Sequence, residues 1–225
     1  MNRFLLCTVL LAASTAAFAV PQAARHDIDK VNGGITAEAG QAYGELSTVN
    51  GGIELGRGAS AEDVETVNGG IRAEDEVSAH DVSTVNGGIR FGRQARIDGN
   101  LETVNGGIFT DHGSQVRGDV STVNGGIGLV GTNVEGRIET VNGDVTVGAG
   151  SRVKGGILVE KPTGNFGFRL GKQKIPRIVI GPNAVVEGPM VFEREVKLYV
   201  HASARTGTIT GATAQRYDGA TPPKD

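Results

Sequence analysis

Four histidines, one cysteine and scattered carboxylates are this chain's candidates for acid–base, thiol or metal chemistry. His26, His80, His112 and His201 lie far apart, with no histidine pair at metal-ligand spacing and no histidine base with an obvious nucleophile. Adjacent acids such as Asp27 and Asp29, or Glu74 to Glu76, could gather around Ca²⁺ or serve carbohydrate cleavage. Calcium-binding β-rolls repeat an acid beside their glycines, and here only Asp144 does so. The recurring Gly-Gly could cradle a phosphate only ahead of a helix, and no helical period follows it. The sequence therefore predicts no catalytic residue, no cofactor and no metal site.

Those glycines belong instead to a repeat. Val-Asn-Gly-Gly-Ile begins at Val31, Val49, Val67, Val85, Val104 and Val123, and Val141-Asn142-Gly143-Asp144-Val145 is a degraded seventh copy. A unit this short cannot bury its own apolar face, so the copies must stack. In residues 64–81, Val64 and Thr66, Ile71 and Ala73, and Val77 and Ala79 each flank a polar residue, as half-buried strands do. Asn68-Gly69-Gly70, Glu74-Asp75-Glu76 and His80-Asp81 are polar corners between them. The expected fold is all-β: a three-sided parallel β-helix (β-solenoid) of about 18 residues per coil.

In-register stacking would align Asn32, Asn50, Asn68, Asn86, Asn105, Asn124 and Asn142 in one corner as an amide ladder. Asn and Gly at that corner suit left-handed backbone. Ser47, Glu65, Ser83, Glu102, Ser121 and Glu139 alternate strictly, which keeps stacked glutamates two coils apart. The threonines from Thr48 to Thr140 form another row. Whether Thr66 or Val67 faces inward is open, because both are β-branched and neighbours. An outward threonine row would permit ice binding.

Residues 1–19 read as a signal peptide, with Arg3 ahead of a short apolar run and an Ala17-Phe18-Ala19 cleavage site. Cleavage removes Cys7, the only cysteine, so the mature chain has no disulfide and no transmembrane segment. The expected location is the periplasm, or secreted to the cell surface. One β-helix domain spans 20–212, with regular repeats at 28–159, a loop excursion at 160–177 and terminal coils at 178–212. About nine coils would stack to a rod of ~45 Å. Residues 213–225 read as a disordered tail.

Residues 20–82 carry 4 basic and 12 acidic groups, and residues 83–225 carry 17 and 13. This asymmetry describes two solvated surfaces, or ends that attract head to tail or dock on an anionic surface. The acidic total and scattered aromatics leave no footprint for nucleic acid. The 160–177 excursion breaks the repeat with basic and aromatic residues. Lys161, Phe166, Phe168, Arg169, Lys172 and Lys174 are its candidate interaction residues.

The Thr-Val-Asn-Gly-Gly-Ile coils resemble bacterial adhesin-type β-strand-repeat families. Ile178-Val-Ile-Gly-Pro-Asn-Ala-Val-Val-Glu-Gly188 is similar to bactofilins, the polymer-forming bacterial scaffolds. The resemblance implies a right-handed β-helix with a structural or adhesive role in the cell envelope, self-assembling end to end or binding an envelope polymer. Bactofilins are typically cytoplasmic, and the export signal departs from that pattern. Ile180-Gly-Pro-Asn-Ala-Val also matches the loose hexapeptide pattern of β-helical acyltransferases. The alternative to a scaffold is a β-helix enzyme acting on envelope carbohydrate.

Overall fold

The computed structural model describes residues 25–162 and 174–223. Three parallel sheets form the sides of the solenoid, and every strand pairs with its counterpart one coil away. The first sheet has ten strands, from His26–Asn32 to Ile209–Thr210. The second has ten, from Ile35–Ala37 to Ala214–Tyr217. The third has seven, from Ser78–Ala79 to Arg205–Thr206. The stack makes about ten turns of roughly 18 residues each.

The repeat sets the register. Val64 lies beside Val82, Glu65 beside Ser83, Thr66 beside Thr84 and Asn68 beside Asn86. The core is therefore built in rows. Ile35, Ile53, Ile71, Ile89, Ile108 and Ile127 stack in one line, all at most 2% exposed. Each such side chain contributes about 1.5–3 kcal/mol by leaving water.

The threonine row faces inward: Thr66 is 4% exposed and Val67 40%. A buried hydroxyl needs a partner, and the Thr66 hydroxyl donates to the Gly51 carbonyl at 2.8 Å. Thr48, Thr84, Thr103 and Thr122 each bond likewise to a glycine of the preceding coil. Valine could not satisfy that carbonyl, so valine takes the outside. A buried threonine row removes the ice-binding reading.

The asparagine corner differs from expectation. Its asparagines are not left-handed; among the described residues the non-glycine ones with positive φ are Glu76, Gln94 and Asn183, at another corner. From Asn50 onward, glycine follows each asparagine because of close backbone approach, whereas Gly33, after Asn32, has a positive φ of 99° and open space around it. A Cβ on Gly69 would lie 1.9 Å from the Gly51 oxygen.

One coil is much longer than the rest. Val145–Val147 pairs with Ile178–Ile180, a step of 33 residues, yet Ile178–Ile180 pairs onward with Leu198–Val200 in the same register. The extra length falls after Val159 and before Arg177. The reading of 213–225 as a disordered tail is corrected over its first residues. Ala214–Tyr217 is a strand paired with Lys197–His201. Tyr217 holds it there: its ring meets His201 edge-on at 5.0 Å and is buried with Val179 and Tyr199.

Candidate functional site

The predicted asparagine row is continuous. Each side-chain amide donates to the asparagine of the preceding coil, from Asn50 to Asn32 at 3.1 Å through Asn142 to Asn124 at 3.0 Å. All six bonds point the same way, so the row has a donor end at Asn32 and an acceptor end at Asn142. Aligned amide dipoles of this kind strengthen one another.

The acceptor end is closed by Arg194, whose Nη1 donates to the Asn142 side-chain oxygen at 2.7 Å and the Val141 carbonyl at 2.8 Å. Nearby, Lys174 Nζ meets Asp144 at 2.5 Å, and the other Asp144 oxygen accepts the Arg177 backbone N–H at 2.9 Å. Lys174 thus braces the coil from which the excursion returns. Lys161 donates its backbone N–H to Glu193 at 3.2 Å. Phe166, Phe168, Arg169 and Lys172 lie outside the described residues.

The paired acids considered for calcium are engaged locally. Asp27 accepts the Glu45 N–H, and Asp29 accepts the Ser47 hydroxyl. Glu74, Asp75 and Glu76 surround Arg57. Two histidines also have local roles. His201 packs on Tyr217, and His112 lies 2.6 Å from Asp111. The His112 backbone N–H, and then its ring, hold the Asp111 carboxyl below the usual range.

His80 is different. Its Nδ1 is 2.9 Å from Asp81 and 3.7 Å from Asp63, and the three side chains could hold a metal ion. Among the described residues this is the one such group. It borders a cavity of about 440 Å³ also lined by Arg25, Glu62 and Asp98. All three ligands are about half exposed. The sequence hides this group because Asp63 comes from the coil before His80, at a corner where neither residue predicts the other.

A second cavity, of about 990 Å³, is a groove along six coils beside the asparagine corner. Its floor is the second glycine of each Asn-Gly-Gly, from Gly34 to Gly126, and Glu54, Arg72, Arg90 and Phe109 rise along one side. Elsewhere, Glu139 is paired with Arg137, yet burial raises its pKa above the usual carboxyl value. Among the described residues no helix is long and apolar enough to cross a membrane. Compared with protein-family models, with curated proteins and with solved structures, the chain matches none.

Proposed function

We propose that this protein is an exported, non-enzymatic β-helical scaffold of the bacterial cell envelope. The observation that carries the reading is the uninterrupted stack of about ten coils in three parallel sheets. Such a stack offers long faces of fixed spacing and little to move. Export rests on the apolar, Ala-x-Ala-terminated N-terminal segment. Among the described residues, the outermost strands of the first sheet, His26–Asn32 and Ile209–Thr210, pair on one side only. Open edges and opposite charge in the two halves of the chain support end-to-end assembly.

Cell fractionation tests the location. Processed protein in the periplasmic or surface fraction is expected; uncleaved protein retained in the cytoplasm sinks the reading. Sizing the purified mature protein across concentration and salt tests assembly, and a monomer under every condition rules it out.

A second reading is favoured by Asp63, His80 and Asp81 beside their cavity: a metal-dependent enzyme acting on envelope carbohydrate. Cleavage of envelope glycans that requires added Zn²⁺ and disappears in His80→Ala would establish it.

A further inference from the structure

The groove beside the asparagine corner is kept open by a glycine that the fold does not strictly require. From Gly51 to Gly125 the first glycine of the corner is indispensable, since a Cβ on Gly87, for example, would sit 1.9 Å from the Gly69 oxygen. The second is a milder case. A Cβ on Gly70 or Gly88 would lie 3.1 Å from the next coil's carbonyl oxygen, which a small shift relieves. The seventh coil carries Asp144 at this position, with its side chain turned to Lys174. Gly34 to Gly126 thus leave bare a floor that side chains could have covered.

Arg72 and Arg90 stand over that floor on adjacent strands, directly opposite one another. Like charges in this relation repel at a spacing of about 4.8 Å. The glutamates of the Ser/Glu row avoid it by alternation; these arginines do not. Arg57, Arg117 and Arg152 each pair with a carboxylate. Among the described residues Arg72 makes no ion pair, and Arg90 lies 4.3 Å over the Phe109 ring. Two stacked guanidiniums form a site for an anion, with Glu54 opposite Arg72 on the preceding strand marking where that site ends.

The floor itself selects the class of ligand. Its carbonyls already accept bonds along the stack, Gly70 from Ile53 and Gly88 from Ile71. A peptide therefore finds no free strand edge to extend. A chain of saturated rings needs no such edge. We propose that the groove binds an extended anionic polysaccharide, with ring faces on the glycine floor beside Phe109 and carboxylates across Arg72 and Arg90. This deepens the scaffold reading by naming its envelope ligand, and rests on it for access to such a polymer.

Titration calorimetry on the purified mature protein tests the groove with four probes: polygalacturonate, neutral dextran, poly-glutamate and anionic phospholipid vesicles. Polygalacturonate is expected to bind and to weaken as salt rises. Arg72→Glu with Arg90→Glu should weaken it by about tenfold or more with an unchanged far-UV spectrum. Gly70→Gln with Gly88→Gln should weaken it by filling the floor. Equal binding of dextran, or polygalacturonate binding unaltered by the arginine changes, overturns the proposal. Tighter binding of poly-glutamate or vesicles overturns the assignment to a glycan. These outcomes are independent of fractionation, which alone judges export.

Discussion

Arg194 and Asn142 are joined across a coil boundary, with the guanidinium donating to the side-chain oxygen at 2.7 Å. That oxygen is the last acceptor of the ladder. Every earlier asparagine oxygen receives the amide of the following coil. At this boundary a cation replaces the next amide, because the chain has left the repeat. Arg194→Ala is expected to destabilise the protein by about 1–2 kcal/mol, the range for a charge-assisted bond with a carbonyl left behind. Asn86→Ala breaks two ladder bonds and Asn32→Ala one. Urea denaturation should rank Asn86→Ala as the more harmful of the two.

Thr84→Val keeps shape and removes the hydroxyl that donates to the Gly69 oxygen at 2.9 Å. A buried carbonyl without its donor costs about 1–3 kcal/mol, more than the added methyl returns. A valine variant as stable as the parent in thermal melts would refute the inward role of this row.

Gly87→Ala and Gly88→Ala should part company. The first drives a Cβ into the same Gly69 oxygen, and the second makes a contact at 3.1 Å. The expected losses are about 4 kcal/mol or failure to fold for Gly87, and about 1 kcal/mol or less for Gly88. Circular dichroism and thermal melting of the two proteins provide the measurement.

Asp111 and Glu139 should bend the acid limb in opposite senses. Asp111 is lowered by the His112 backbone N–H and ring, so its stabilisation is full above the unfolded carboxyl value. It is lost as pH falls through the lowered folded value, and Asp111→Asn should flatten that loss. Glu139 is raised by burial, against the pull of Arg137. Its contribution is present below the unfolded value and is lost as pH rises through the raised one. Glu139→Gln should therefore favour the folded state most at neutral pH. Denaturation midpoints between about pH 3 and pH 7 separate the two.

The coil was legible because strand alternation and corner residues recur together in the sequence. Thr66 and Val67 were not separable by type; a glycine carbonyl in the preceding coil decides between them. Left-handed backbone at the asparagines followed from their usual tolerance, but close packing of coils already explains the glycines beside them. Asp63 and His80 meet only after the chain has turned a full coil. Tyr217 is a single aromatic in a polar segment, too little pattern to announce a strand, and its partner ring lies on an earlier one.

The 33-residue coil has a consequence for how this molecule can change. Its strands rejoin their sheets without a phase error. Axial position is therefore counted in turns, not in residues. Adding or deleting a whole turn would move everything beyond it by about 4.8 Å and keep the backbone pairing of every other coil. The protein is in effect a ruler: its length is adjustable by duplication, and extra residues between two strands leave its scale unchanged.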